Sequence, residues 1–116
     1  MLRIQKMASK LKVDGDYIKD GSRKVARIYR DCIYKGTSTS SSNLLAKIYK
    51  DKFYNRTSTS SSYCIGRLYS GTIYNKDSTS SSYKIGKIRD AEKVISGRCS
   101  DEVLAATYVL MKSGQL

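Results

Sequence analysis

A twenty-residue repeat dominates the sequence. The hexapeptide Thr-Ser-Thr-Ser-Ser-Ser occupies residues 37–42 and 57–62, and its counterpart at 77–82 differs only in beginning with Asp. Cut at Val25, the chain gives four consecutive blocks, and the fourth, residues 85–104, has lost the serine-rich loop. A partial copy without the loop precedes them at residues 13–22. A fixed period of this length predicts a fold assembled from one repeated supersecondary unit.

Each block has the pattern of a β-hairpin. β-Branched and aromatic residues form two clusters, separated by Arg30-Asp31, Lys50-Asp51 or Ser70-Gly71, and such spacing favours two-residue turns. Small residues recur two places from the predicted facing pairs, which indicates backbones that converge near an axis. The predicted facing pairs are Ile28 with Ile33, Ile48 with Phe53 and Leu68 with Ile73, and the small residues on the same side are Ala26, Ala46 and Gly66.

The opposite face of each hairpin sets a cation against a phenol. An exposed cation over an aromatic ring contributes about 0.5–1 kcal/mol. Two interpretations stay open: the basic stem covers the ring, or the tyrosines stack on nucleic-acid bases. The predicted pairs are Arg27 with Tyr34, Lys47 with Tyr54 and Arg67 with Tyr74.

The C-terminal segment 100–113 has the signals of a helix. Ser100 or Asp101 is a suitable N-cap, Lys112 lies in the last turn and Gly114 follows the end. The segment is apolar nearly all round, which is typical of a buried helix. We therefore expect a mainly β fold in which four hairpin repeats surround a pseudo-four-fold axis as a closed ring, with the helix against their aliphatic faces. A short β-solenoid is the alternative.

The repeats also support a resemblance to a known family. Blocks such as IGRLYSGTIY and IGKI, each preceded by the serine loop and SSSY, together with an alanine-rich apolar tail, resemble the small bacterial family described as the four-fold beta flower. The resemblance covers residues 25–111 and implies hairpins arranged as petals about a pseudo-four-fold axis. It carries no established activity, and the altered loop at 98–102 departs from the pattern.

The domain organisation follows from the repeat. We expect one domain over 1–116, with a basic N-terminal segment and partial repeat at 1–24, the four repeats at 25–104 and the helix at 100–113. No run approaches the roughly 18 apolar residues of a membrane span. The expectation is a cytoplasmic protein, a monomer or a small homo-oligomer.

Charge provides the first functional hypothesis. The chain has 22 basic and 10 acidic residues, a formal net charge of +12, and its first thirty residues have nine basic against three acidic residues. Such an imbalance can reflect solvation, or binding of RNA or DNA without sequence preference. An anionic membrane surface is a weaker partner because the N-terminal run lacks an apolar face. The candidate polyanion-binding residues are Arg3, Lys6, Lys10, Lys12, Arg23, Lys24, Arg27, Lys47, Arg67 and Lys87.

The serine-rich loops provide a second hypothesis. Hydroxyl groups bond to nearby backbone and stabilise turns, so the loops can serve simply as connectors. They can also form a ring of hydroxyls that binds a small ligand or a glycan. The candidate residues are Thr39, Ser40, Thr59, Ser60, Thr79 and Ser80.

The residue types argue against catalysis. The chain has no His, so neither a Ser-His-acid triad nor a Cys-His pair can form. Cys32, Cys64 and Cys99 share no CxxC spacing and occupy unrelated repeat positions, which predicts no zinc site, disulfide framework or cofactor. The sequence therefore favours a non-enzymatic structural or interaction module with a nucleic acid or another protein as partner, ahead of polyanion binding and then of glycan binding.

Overall fold

Ten strands and two α-helices make the protein mainly β in a computed structural model that describes residues 11–116. In the described chain, neither helix is long and apolar enough to cross a membrane. The strands are β1 (Leu11–Asp14), β2 (Tyr17–Asp20), β3 (Arg23–Tyr29), β4 (Cys32–Lys35), β5 (Leu44–Tyr49), β6 (Lys52–Tyr54), β7 (Cys64–Tyr69), β8 (Thr72–Tyr74), β9 (Lys84–Lys87) and β10 (Ile95–Gly97), and the helices are α1 (Ile88–Val94) and α2 (Asp101–Lys112).

Three hairpins have the register that the repeat predicts. β3 with β4, β5 with β6 and β7 with β8 are antiparallel pairs joined by two-residue turns. Ile28 faces Ile33, and the equivalent pairs in the next two hairpins also match the prediction. β1 and β2 form the additional pair that the partial copy predicts.

The inner face of the hairpins packs on α2. Ala26, Ala46 and Gly66 are all buried, as their small size indicates. At Gly66, a Cβ atom would lie 2.8 Å from Cγ2 of Val109, so the helix crosses the sheet where the side chain is absent. Residues 104–110 of α2 are buried without interruption, which confirms the expected buried helix. Its N-cap is Ser100, whose hydroxyl accepts a hydrogen bond from the Val103 amide.

The sheet curls around this helix. Strands lie about 4.8 Å apart, so ten flat strands would place the two edges about 43 Å apart. β9 at one edge and β10 at the other are joined by α1, whose seven residues span only about 10 Å. The edges must therefore approach each other. The sheet is nevertheless open, because across residues 11–116 β9 pairs only with β8 and β10 only with β1. This corrects the expected closed ring.

The fourth block does not form a hairpin. Where the other blocks have a two-residue turn, the fourth block has α1. β10 then pairs in parallel with β1 instead of with β9. The sequence RDAEKV replaces the β-branched and aromatic residues of the other blocks with residues that are compatible with a helix. The Asp90 carboxylate accepts a hydrogen bond of 2.8 Å from the Lys87 amide and so fixes the helix start.

Candidate polyanion-binding face

A line of cations crosses the outer face, which is the side of the sheet opposite α2. Arg27 faces Tyr34, Lys47 faces Tyr54 and Arg67 faces Tyr74, as the repeat predicts. Lys87 continues the line opposite Thr72. Consecutive cations are two strands apart and offset by two residues along the strands, which is about 12 Å for a flat sheet. The four predicted ring residues therefore share one face, and each is displaced by two residues along the strands relative to the one before it.

Within the three predicted pairs, the cations do not lie over the rings of their hairpin partners, which corrects part of the prediction; Arg27 and Arg67 lie over Tyr29 and Tyr69 instead. The Lys47 ammonium donates to the carbonyl of Thr57 at 3.0 Å, and Nη1 of Arg27 donates to the carbonyl of Thr37 at 3.4 Å. A backbone carbonyl in the loop is a better acceptor for a charged donor than a ring that packing already covers. Tyr54 is only 5% exposed.

Three equivalent tyrosines form the most exposed aromatic feature of the described chain. Tyr29, Tyr49 and Tyr69, here called the tyrosine row, end β3, β5 and β7 and are 40%, 48% and 50% exposed. They lie on the outer face, since each is two residues beyond a cation of the line. The row was missing from the predicted site, although its period of twenty and its position before each turn were visible in the sequence.

Each ring of the tyrosine row has a cation over it. The guanidinium carbons of Arg27 and Arg30 lie 5.4 Å and 5.3 Å from the Tyr29 ring centre. Lys50 Nζ lies 5.4 Å from the Tyr49 ring centre. The Arg67 guanidinium carbon lies 5.1 Å from the Tyr69 ring centre. Positive charge and a partly exposed ring therefore occur together at three hairpin tips.

The turns next to these rings are conformationally unusual. Arg30 has φ of 49°, and Lys50 has φ of 57°, in the left-handed region that favours Gly and Asn. A long basic side chain gains nothing locally from this conformation. Unfavourable backbone geometry that persists in a fold is a reason to look for function at the same residues.

Acidic side chains neutralise part of the outer face. Asp77, which replaces Thr in the third loop, lies 2.8 Å from Lys52 Nζ, and this hydrogen bond raises the pKa of Lys52. Asp51 Oδ2 lies 3.5 Å from Nε of Arg67. These contacts link the second hairpin to the third and leave the first hairpin with the higher density of positive charge.

The N-terminal candidates are only partly described. Arg3, Lys6 and Lys10 lie outside the described residues. Lys12, Arg23 and Lys24 are exposed. Arg23 lies 3.6 Å from Asp20. Lys24 Nζ is 4.2 Å from the ring centre of Tyr17, which faces Arg27 and so extends the outer face toward β2.

The serine-rich loops bond mainly to themselves. Each contains a short 3-10 helix, at residues 41–43, 61–63 and 81–83. In the first loop, the Ser40 amide donates to Ser38 Oγ at 3.1 Å, and the hydroxyls of Ser40 and Ser42 are 3.0 Å apart. The contacts repeat in the other two loops. The Ser40, Ser60 and Ser80 hydroxyls thus act within a connector, and Thr39, Thr59 and Thr79 lie one residue before them.

Comparison with known proteins adds no relative. No protein-family description, curated protein or solved structure matches this chain. Within residues 11–116, no three His, Cys, Asp or Glu side chains come together in a way that could hold a metal ion. The functional proposal therefore rests on the geometry of the outer face.

Proposed function

We propose that the protein is a non-enzymatic interaction module that binds single-stranded nucleic acid without base specificity. The supporting observation is the tyrosine row, three exposed rings in equivalent positions, each with a cation at 5.1–5.4 Å. Proteins that bind single strands combine aromatic platforms with a basic surface. The lack of His in the sequence supports a binding role over a catalytic one.

The two components of the face have different tasks. Base stacking on an aromatic side chain contributes about 1–3 kcal/mol per base and tolerates any base. The cation line supplies contacts to phosphates, whose strength falls as salt rises. A flat stacking contact needs an unpaired base, so the rings favour single strands over duplexes. The resulting binding is sequence-independent and salt-dependent.

The four-fold beta flower resemblance remains part of the proposal. The repeated blocks and the curl of the sheet around α2 support a petal-like arrangement of the hairpins. A cytoplasmic location is consistent with a nucleic-acid ligand. A glycan site in the serine-rich loops is not proposed, because the hydroxyls of Ser40, Ser60 and Ser80 contact hydroxyls of the same loops.

The test is a fluorescence-polarisation titration with a labelled oligothymidine and with a duplex of equal length. Replacing Tyr29, Tyr49 and Tyr69 together with Ala is expected to weaken single-strand binding by about 100-fold or more, since three stacked bases contribute at least about 3 kcal/mol. The matched control replaces the same residues with Phe, which keeps the rings and should retain most of the affinity.

Two results would contradict the proposal. Equal affinity for single strand and duplex would show that the rings do not select unpaired bases. Unchanged binding by the alanine variant would remove the tyrosine row from the site.

The wild-type titration at low and near-physiological salt tests the cation line. The logarithm of the affinity should fall as the logarithm of the salt concentration rises, with a slope that corresponds to several phosphate contacts.

A further inference from the structure

A cleft of about 750 Å³ opens between the sheet and the C-terminal end of α2. Its apolar wall comes from repeat-equivalent residues, Leu45, Ile65 and Ile85, and from Val109 and Leu110 of the helix. These side chains pack against the core and stay partly exposed where the cleft opens. The volume lies within the range of small-molecule sites. No member of the tyrosine row lines it.

The polar part of the lining carries amides and cations. Asn55 and Asn75 occupy equivalent positions directly after β6 and β8, and both are exposed. Their backbone amides donate at 2.9 Å to the carbonyls of Tyr63 and Tyr83, which holds the two residues at fixed positions. Lys76 and Lys112 are the charged residues of the lining, and no Asp or Glu lines the cleft within the described chain.

The end of α2 does not oppose an anion as strongly as a bare helix terminus would. A helix C-terminus exposes carbonyl groups that carry partial negative charge. Here the Leu110 carbonyl accepts hydrogen bonds from the amides of Gln115 at 2.8 Å and Leu116 at 3.2 Å. The Ser113 amide donates to the Val109 carbonyl at 3.0 Å. The chain therefore turns back and satisfies these acceptors itself.

We propose that this cleft binds a small amphipathic carboxylate, a molecule with an aliphatic body and one anionic head. The body would lie on the wall of Ile65, Ile85 and Leu110, which removes apolar surface from water. The head would lie at the rim near Lys76 and Lys112, with the Asn75 carboxamide as a neutral donor. Within the described chain the lining has two cations and no carboxylate, and this imbalance selects the sign of the ligand charge. The inference does not depend on nucleic-acid binding.

Isothermal titration calorimetry with decanoate below its micellar concentration tests the cleft. Decanoate should bind at one site and at least about tenfold more tightly than decyltrimethylammonium, which has the same chain and the opposite charge. Equal affinity for the two ligands would overturn the proposal. So would decanoate binding that is absent or that does not saturate at one equivalent.

Single substitutions test whether decanoate binds at this cleft. Lys76→Gln and Lys112→Gln should each weaken decanoate binding by about three- to tenfold. Lys93→Gln is the matched control, since Lys93 is exposed on α1 and lies outside the cleft lining. Ile65→Phe narrows the cleft and should reduce binding further, with the thermal unfolding transition confirming that the variant folds. An equal loss of affinity in Lys93→Gln would overturn the site, because it would reflect net charge alone.

Discussion

The two faces of the hairpins differ although they arise from alternate residues of the same repeat. On the inner face, side-chain size is set by packing: Phe53 and Ile73 are fully buried, and Gly66 leaves room for α2. On the outer face, Tyr49 and Tyr69 remain about half exposed. Strand alternation places these two environments one residue apart. A short repeat can thus carry a buried core and an exposed aromatic surface together.

Substitutions on the inner face should report on folding, and substitutions on the outer face should report on the proposed binding. Core packing leaves little room for volume change in either direction. Surface positions usually change stability by no more than about 0.5 kcal/mol. Substitutions on the two faces should therefore differ most in their effect on the free energy of unfolding.

The first comparison uses two aromatic residues of the second hairpin. Phe53→Ala should lower the free energy of unfolding by about 3–5 kcal/mol, because it removes a fully buried ring. Tyr49→Ala should change it by only about 0.5 kcal/mol or less, while weakening oligonucleotide binding. Urea unfolding and fluorescence polarisation measure the two effects. If Tyr49→Ala destabilises as much as Phe53→Ala, the outer face is part of the core and the contrast fails.

The second comparison concerns the crossing of α2 over the sheet. Gly66→Ala should cost about 1–3 kcal/mol, since its Cβ would lie 2.8 Å from Val109 Cγ2 and 2.9 Å from the Tyr74 carbonyl oxygen. Val109→Ala removes one of these obstacles. The double variant should therefore be destabilised by less than the sum of the two single variants, as chemical denaturation can show.

The control for the helix crossing is Ala46→Gly in the preceding hairpin. Ala46 is the repeat equivalent of Gly66 and is fully buried, so this position accommodates a Cβ atom. Ala46→Gly should destabilise the protein and show no coupling to Val109→Ala. Strict additivity of Gly66→Ala and Val109→Ala would mean that α2 does not press on the sheet at Gly66.

Local signals in the sequence were sufficient for most of the fold. The turn pair Arg30-Asp31 predicted the register of Ile28 with Ile33, and the N-cap candidates Ser100 and Asp101 predicted the start of α2, because each depends on neighbours along the chain. The return of β10 to β1 could not be predicted in this way. That parallel pairing joins segments more than eighty residues apart and depends on the curl of the whole sheet.

The candidate site was predictable in part for the same reason. Alternation placed Arg27, Lys47 and Arg67 on one face, and the strand register confirms their facing partners. The loop carbonyls that Arg27 and Lys47 reach were not predictable, because they depend on how the loop after each hairpin folds back. Exposure of the tyrosine row likewise depends on which rings the loops leave uncovered.

The smallest effect is expected at the first hairpin turn, where one change should raise stability and weaken oligonucleotide binding. Arg30→Asn combined with Asp31→Gly places the residues that a left-handed two-residue turn prefers at positions with φ of 49° and 62°. The change should raise the free energy of unfolding by about 1 kcal/mol. It should also reduce the salt slope of oligonucleotide binding by about one phosphate contact, because Arg30 is lost.

Arg30→Gln separates the two causes, since it removes the charge and keeps a long side chain in the left-handed conformation. Its salt slope should fall as far as that of the double variant, while its stability stays close to the wild type. A stable double variant with an unchanged slope would show that Arg30 has no phosphate contact. The unfavourable turn would then be a neutral feature of the repeat, and the role of the outer face would depend on the cation line and the tyrosine row alone.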